Sequence, residues 1–304
     1  MEKCLAFVLG GGGARGAMQV GAIRALFEAG PQPDLLVGTS IGAANSAMLA
    51  LWGMNMAGIE ALELAYQHMS DARLMDPNLA KFAWNTVSGR PNLRGSQYAR
   101  EFLIAQGLSP ELRFGQIRNV RLATVAADLH TRQPFIYGLD PEQSVLEGVL
   151  ASTAIPPWFA PIENDGHCLI DGGALSNLPI EPALALGATE IIALDLSDPG
   201  KLAEGSYSNN SNNNPYVKHL ISAVVQREIA LEMELAATRK VPVKYVRLTS
   251  SPYVQTWDFS SHRDLFKIGY EIMRSEMSSW PEHRRSLVAF PHIFRKKQPA
   301  LISA

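Results

Sequence analysis

The sequence predicts an α/β fold: a three-layer α/β/α sandwich around a mainly parallel central sheet. Strand-like and helix-like runs alternate from the start, and they cover Cys4–Leu9, Ala14–Ala29, Asp34–Thr39 and Ile41–Met56. This alternation favours parallel strands joined by right-handed helical crossovers. The strand-like runs are apolar throughout rather than at every second residue, which is typical of strands that helices cover on both faces.

The rest of the chain continues the same pattern. After a helical and loop-rich stretch over 60–117, the predicted strands are 120–127, its hairpin partner 133–138, 168–170, 190–194 and 243–248, and the predicted helices are 146–152, 178–186, 217–238 and 262–279. We expect one domain over 1–304, with its core at about 5–196 and a C-terminal extension over 217–304. Residues 200–216 contain SYSNNSNNNP, too polar to bury apolar surface, and are predicted to be a mobile surface loop.

Composition excludes some classes of partner. Hydrophobic residues make up 47% of the 304 residues and charged residues 18%, which suits a protein with a sizeable core. The net charge of −2 gives no general attraction to nucleic acid, so we expect no nucleic-acid partner. Two cysteines in apolar runs and an N-terminus without a signal-peptide pattern lead us to expect a cytoplasmic protein.

The C-terminal region leaves one alternative open. Basic and aromatic residues are mixed around Arg284, Arg295, Trp280 and Phe294. Such a mixture fits a solvated surface helix or peripheral contact with an anionic membrane. The oligomeric state does not follow from the sequence.

A glycine-rich loop, LGGGGARG at 9–16, follows the first predicted strand and opens the first helix. Consecutive glycines indicate backbone that approaches a ligand closely, either in a phosphate cradle or in an oxyanion hole. The loop matches the G-x-G-x-x-G dinucleotide pattern. That pattern also needs an acidic residue at the far end of the second strand, where this chain has Gly38-Thr39-Ser40, and no Walker lysine is present. The oxyanion hole is therefore favoured.

The second strand runs into GTSIG at 38–42, a G-x-S-x-G motif between a strand and a helix. This is the context of a nucleophile elbow, in which a sharp turn presents the serine outward. Gly38 and Gly42 fit because the turn crowds the positions two before and two after the serine. Ser40 is the candidate nucleophile, and a tight turn with a capping serine is the alternative.

The glycine loop and Ser40 should be neighbours, because adjacent parallel strands bring their carboxyl ends to one edge of a sheet. Backbone amides of Gly12, Gly13 and Ala14 then lie where they can face a substrate oxygen. Arg15 either braces the loop or contacts substrate, and bracing is favoured.

The candidate base is an aspartate. None of the seven histidines lies in a local pattern that marks a catalytic partner of the serine. Asp128, Asp171 and Asp195 each follow a strand-like run, but only Asp171 is followed by Gly172-Gly173, a turn that lets the carboxylate end a strand. The hypothesis is a Ser–Asp dyad, whose carboxylate needs partial desolvation to act as a base.

Taken together, GGGARG at 11–16, GTSIG at 38–42 and DGG at 171–173 with NLP at 177–179 resemble the patatin-like phospholipase family, as does ASTAIPPWFAP at 151–161. The resemblance covers about 5–196 and is closest to small bacterial members. It implies a patatin-like fold, a Ser40–Asp171 dyad, an oxyanion hole on Gly11, Gly12 and Gly13, and hydrolysis of lipid acyl esters without a metal or cofactor.

The expected function is that of a serine lipid acyl hydrolase of the phospholipase A or lysophospholipase type, with a lipid or acyl ester as substrate. A soluble short-chain carboxylesterase or thioesterase with the same dyad is one alternative. A non-catalytic lipid- or nucleotide-binding module is another. IPPWFAP, Trp52 and Met54 either line an acyl groove or pack in the core.

Overall fold

The computed structural model describes residues 3–72, 93–156, 158–197 and 215–280, and it confirms the three-layer α/β/α architecture. The strands are β1 (Leu5–Leu9), β2 (Leu35–Thr39), β3 (Arg121–Asp128), β4 (Gln133–Tyr137), β5 (Ile162–Asn164), β6 (His167–Asp171), β7 (Glu190–Asp195) and β8 (Val243–Arg247). The helices are α1 (Ala17–Ala29), α2 (Ile41–Trp52), α3 (Met56–Ala72), α4 (Leu93–Ala105), α5 (Val145–Ser152), α6 (Ile180–Ala185), α7 (Pro215–Thr238) and α8 (His262–Ser278).

The strands form one sheet in the order β5-β6-β3-β2-β1-β7-β8, with β4 paired to β3 off this path. The strands β3, β2, β1, β7 and β8 are mutually parallel, as predicted. The antiparallel strands are β4, β5 and β6. The sheet is therefore mainly parallel, with an antiparallel end beyond β3.

The register of β3 brings two strand ends together. Thr39, the last residue of β2, pairs with Val125, and Asp171, the last residue of β6, pairs with the next residue, Ala126. The hairpin strand β4 pairs with all of 124–128 and so occupies the opposite edge of β3. Strands β2 and β6 therefore share one edge of β3 and meet end to end, which places Asp171 beside the residue that follows Thr39.

Helices cover both faces of the sheet. One face packs against α1 to α5 and α8, in a core that includes Phe7, Met18 and Tyr66. The other face packs against α6 and α7, through residues that include Ile180 and Ile229. All five residues of β2 are buried, as its unbroken apolar run predicts.

Several element bounds differ from the prediction. The second helix ends at Trp52 rather than Met56, because Gly53 takes φ +119 and ends it, and α3 begins at Met56. The short strand β5 was not predicted, since it has only three half-buried or exposed residues. Of the predicted loop over 200–216, all but the last two residues lie outside the described ranges, and α7 begins at Pro215, a favourable residue for the first helical turn.

The basic and aromatic cluster of the C-terminus lies outside the described residues apart from Trp280, so its two interpretations, a solvated surface helix and peripheral membrane contact, both stay predictions. None of the described helices is long and apolar enough to cross a bilayer.

Candidate active site

Ser40 lies at the tip of a sharp turn between β2 and α2. Its backbone takes φ 56 and ψ −126, a conformation that non-glycine residues rarely adopt and that persists only where the surroundings hold it. The Ser40 amide donates to Ser152 Oγ at 2.9 Å, and that hydroxyl donates to the Val125 carbonyl at 2.6 Å. Ser40 as a whole residue is only 5% exposed. The turn therefore holds Ser40 in one orientation.

The two glycines that flank Ser40 lie in tight contact with backbone. A Cβ atom on Gly38 would lie 2.3 Å from the Gly42 carbonyl oxygen, and one on Gly42 would lie 2.1 Å from the Leu9 oxygen. Any side chain at either position would open the turn. This crowding is the steric reason for the G-x-S-x-G spacing.

Asp171 adjoins Ser40 and has an unusual environment for a carboxylate. Its Oδ1 accepts from the Gly173 amide at 2.8 Å, whereas Oδ2 is buried and has no hydrogen-bond partner among the described residues. Burial raises the pKa of Asp171 to about 6, although the nearby Ser40 hydroxyl and the Gly173 amide lower it in part. The Ser40 hydroxyl thus lies close enough to the Asp171 carboxyl group to lower its pKa. One buried carboxylate oxygen is thus free beside the serine.

The other two candidate aspartates are fully engaged elsewhere. Asp128 lies 2.8 Å from His167 Nδ1 and accepts from Thr131 Oγ1 at 2.7 Å. The contact with His167, above all, holds the pKa of Asp128 well below its usual range. Asp195 pairs with Arg247 at 3.4 Å and accepts from Ser197 Oγ at 2.6 Å.

Three further histidine rings contact residues away from the Ser40 turn. His68 contacts Gln106 Oε1 at 3.3 Å, and His130 contacts the Gly166 carbonyl at 2.8 Å. His262 Nδ1 lies 2.8 Å from the Phe259 carbonyl. None of these contacts involves Ser40 or Asp171, whereas His283 and His292 lie outside the described residues.

The glycine loop lies against Ser40, as predicted from the parallel pairing of β1 and β2. A Cβ atom on Gly11 would lie 3.2 Å from Ser40 Cβ. The Gly11 amide donates to the Asn177 carbonyl at 3.0 Å, and the Ala14 amide donates to the Thr256 carbonyl at 2.8 Å. Both of these amides are therefore occupied, which corrects the expectation that Gly11 or Ala14 is a free donor. In the described part of the chain, no acceptor is found for the amides of Gly12 and Gly13.

Arg15 contacts the loop rather than the Ser40 turn. Its Nε donates to the Gly12 carbonyl at 3.3 Å, and its guanidinium carbon lies 5.0 Å from the centre of the Tyr253 ring. These contacts suit the favoured prediction that Arg15 braces the loop.

An apolar cavity of about 70 Å³ lies beside Ser40. Its lining includes Ala44, Met48, Met69, Phe102, Ile155 and Phe159. Two of these residues belong to the ASTAIPPWFAP segment, which was predicted to line a groove or to pack in the core. Trp52 and Met54 pack against the core and are not among the lining residues.

A buried polar chain supports the glycine loop from behind. Gln19 Nε2 donates to the Gly10 carbonyl at 2.8 Å, Asn45 Nδ2 donates to Gln19 Oε1 at 3.0 Å, and the Tyr66 hydroxyl donates to Asn45 Oδ1 at 3.1 Å. Sequence reasoning missed these residues. The signal in the sequence was the polar Asn45 inside the mostly apolar helix α2, since a buried amide needs hydrogen-bond partners.

The turn at Ser176–Asn177 was also missed as part of the site. Thr39 Oγ1 donates to the Ser176 carbonyl at 2.8 Å, and the Gly11 amide donates to the Asn177 carbonyl. These bonds join residues far apart in the chain, so no local sequence pattern predicts them. Within the described ranges, no cluster of three or more histidine, cysteine, aspartate or glutamate residues is arranged to hold a metal ion.

These features define an α/β protein with a strained serine at a strand–helix turn, an adjoining buried aspartate and a glycine loop at the same sheet edge. The family model for patatin-like phospholipase matches residues 7–184, more than half of the chain. The chain therefore belongs to the patatin-like phospholipase family.

Curated relatives match over most of this chain. Patatin-like phospholipase domain-containing protein 6 of Mus musculus is 27% identical over 297 residues, covering 91% of this chain and 21% of the relative. Lysophospholipase NTE1 of Phaeosphaeria nodorum is 25% identical over 288 residues, covering 88% of this chain and 18% of the relative. This chain thus spans about a fifth of the length of these relatives. An uncharacterized NTE family protein of Mycobacterium tuberculosis is 33% identical over 198 residues, 64% of this chain and 30% of that protein.

Among solved structures, VipD from Legionella pneumophila aligns with a TM-score of 0.45 at 15% identity, over 91% of this chain and 67% of VipD.

Proposed function

We propose that this protein is a serine lipid acyl hydrolase of the phospholipase A or lysophospholipase type, with Ser40 as nucleophile and Asp171 as base. The observation that carries the proposal is the buried Asp171 carboxylate, with one unpartnered oxygen beside the strained Ser40 hydroxyl. Membership of the patatin-like phospholipase family supports a lipid substrate.

In the proposed reaction, ionised Asp171 takes the Ser40 proton while Oγ attacks the ester carbonyl. The tetrahedral intermediate expels the alcohol, which leaves with a proton from Asp171, and an acyl-Ser40 ester remains. Water then attacks this ester and gives one proton to Asp171. The second tetrahedral intermediate collapses, the bond between the acyl carbon and Ser40 Oγ breaks, and Asp171 returns the proton to Oγ, which releases the fatty acid and restores free Ser40 and ionised Asp171. A pKa of about 6 makes Asp171 a stronger base than an exposed aspartate while it stays mostly ionised at neutral pH.

The developing oxyanion is stabilised by the amides of Gly12 and Gly13. These two donors are the members of the predicted set that have no acceptor in the described protein, and their loop lies against Ser40. The N-terminus of α2 begins at the next residue, Ile41, and adds a favourable dipole. Each well-placed donor contributes about 3 kcal/mol to the transition state.

The apolar cavity beside Ser40 receives the start of the acyl chain. Its volume of about 70 Å³ equals only a few water-sized volumes, so a long chain requires movement of lining residues such as Phe102. The small volume favours the second candidate function, a short-chain carboxylesterase or thioesterase with the same dyad.

Hydrolysis of two substrates by wild type and Ser40→Ala tests the proposal. Wild type should release palmitate from palmitoyl lysophosphatidylcholine, and Ser40→Ala should be slower by about a thousandfold or more. Ser46→Ala, which changes another buried serine of α2, is the matched control and should keep wild-type rates. Turnover of p-nitrophenyl acetate alone would favour the short-chain esterase. Equal rates for wild type and Ser40→Ala would overturn both assignments.

A further inference from the structure

The Ser176–Asn177 turn contacts three parts of the proposed site: the Ser40 turn, the Asp171 turn and the glycine loop. Its two carbonyls accept from Thr39 Oγ1, one residue before Ser40, and from the Gly11 amide. A Cβ atom on Gly173, within the Asp171 turn, would lie 2.9 Å from Asn177 Oδ1. A shift of this turn would therefore move all three parts of the site.

Two glutamates of α7 hold this turn from the opposite side. The Asn177 amide donates to Glu228 Oε1 at 2.7 Å, and Ser176 Oγ donates to Glu232 Oε1 at 2.8 Å. The other oxygen of Glu232 accepts from the Glu181 amide, at 2.8 Å, in the first turn of α6. The spacing of four residues puts both carboxyl groups on one face of α7.

The two carboxyl groups also lie within hydrogen-bond reach of each other, and no arginine or lysine of the described residues forms an ion pair with either. Glu232 is only 5% exposed. Burial raises the pKa of both groups, and the neighbouring Glu232 charge helps to raise the pKa of Glu228 to about 8.

The surroundings of the pair reinforce this effect. The nearest other charge on β7 is the Asp195 carboxylate, which also raises the pKa of Glu228. The cation of this region, Arg247 on β8, is engaged with Asp195 and with the Tyr245 hydroxyl. On α6, it is the backbone of Glu181 that contacts the pair. Two adjacent negative charges are costly in such a place, whereas one shared proton removes the repulsion.

We propose that Glu228 and Glu232 share one proton, and that this singly charged pair positions the Ser176–Asn177 turn and, through it, the glycine loop and the Ser40–Asp171 dyad. The inference rests on the proposed function. It gives α7, which lies beyond the family match, a positioning role in the site. When the shared proton leaves at alkaline pH, the two carboxylates repel each other and the turn loses its fixed position.

The rate at which a fluorophosphonate probe modifies Ser40 tests this inference between about pH 5 and about pH 10. In wild type the rate should fall above about pH 8. Glu228→Gln keeps an acceptor for the Asn177 amide but cannot ionise, so its rate should stay within about twofold of the wild-type maximum and lose the alkaline fall. Glu228→Ala should be about tenfold to a hundredfold slower, because the turn is released.

The matched control is Glu234→Gln, which changes an exposed glutamate of the same helix and should behave as wild type. An alkaline fall that Glu228→Gln retains, or a wild-type rate in Glu228→Ala, would overturn the inference.

A second readout separates this inference from the proposed function. The folded protein holds the shared proton up to about pH 8, whereas the unfolded chain loses it near pH 4.5. The thermal midpoint of wild type, compared with that of Glu228→Gln, should therefore fall as the pH rises from about 4.5 to about 8 and then level off. This fall is expected even if Ser40 does not react. A Ser40 that does not react, together with this fall, would refute the proposed function and leave the proton-sharing pair in place. Parallel midpoints for the two proteins would overturn the proton-sharing pair.

Discussion

At the scale of single residues, the proposed base Asp171 carries a cost in stability. Its pKa lies near 6 in the folded protein and at an ordinary 3.8 in an unfolded chain. Holding the ionised form at neutral pH therefore costs on the order of 3 kcal/mol. The free oxygen that makes Asp171 suitable as a base is thus a source of instability.

The variant Asp171→Asn should be more stable than wild type at neutral pH, because it removes a buried charge. The gain should appear as the pH rises from about 3.8 to about 6, where the folded wild type alone holds the extra proton. Thermal unfolding of both proteins at several pH values measures the difference.

Asp128→Asn is the contrasting control. The pKa of Asp128 is held low by His167, so its charge stabilises the fold above its unfolded pKa, and that stabilisation is lost as the pH falls. This variant should be less stable than wild type at neutral pH. A lower midpoint for Asp171→Asn at neutral pH would show that its carboxylate is well satisfied, contrary to the structure.

The sequence predicted residues that lie in local motifs and missed those defined by distant contacts. Ser40 and Asp171 could be predicted because each lies at or directly after the end of a strand and is accompanied by the glycines that its turn needs. Ser152, which fixes the Ser40 amide, lies 112 residues away in the chain. Which glycine amides are occupied also depended on a distant partner, the Asn177 carbonyl. No spacing rule reports such contacts.

At the scale of elements, the site depends on two strands that share one edge of β3. Parallel β2 supplies the turn with Ser40, and antiparallel β6 arrives end-on with Asp171. Hydrophobic patterning predicted the strands themselves, because their apolar runs are unbroken. It could not predict that β6 pairs with β3, since pairing order is set by tertiary packing.

Helix α2 also shapes the apolar cavity beside Ser40 through Ala44, which is buried in its lining. Ala44→Leu should fill much of the 70 Å³ cavity and exclude long acyl chains. We expect kcat/KM for p-nitrophenyl octanoate to fall about tenfold or more, while that for the acetate ester changes by less than about threefold. An equal loss on both esters would mean that the cavity does not hold the acyl chain.

At the scale of the whole molecule, segments beyond the family match complete the fold. Strand β8 extends the sheet beside β7, α7 covers one face, and α8 packs on α1. The α1–α8 contact is close enough that a Cβ atom on Gly269 would lie 2.0 Å from the Met18 carbonyl oxygen. The predicted C-terminal extension is therefore part of the packed structure through Trp280.

Gly269→Ala tests the close packing of α1 on α8, because it changes helix propensity and interhelical contact in opposite directions. Alanine favours a helix over glycine by about 1 kcal/mol, but the added methyl must separate α1 from α8, at about 1–3 kcal/mol. We expect a net loss of stability by urea unfolding. Ser275→Ala, at an exposed position of the same helix, changes helix propensity alone and should be neutral or slightly stabilising. A stabilised Gly269→Ala protein would show that the two helices are not in close contact.

Whether Asp171 activates Ser40 is tested by mapping the residue that a fluorophosphonate probe modifies, in wild type and in Asp171→Asn. We expect modification of Ser40 in wild type and a loss of about a hundredfold or more in rate for Asp171→Asn. This variant should remain folded, because it is expected to be the more stable protein. Modification of Ser40 at an undiminished rate in Asp171→Asn, or modification of a different residue, would contradict the Ser40–Asp171 dyad.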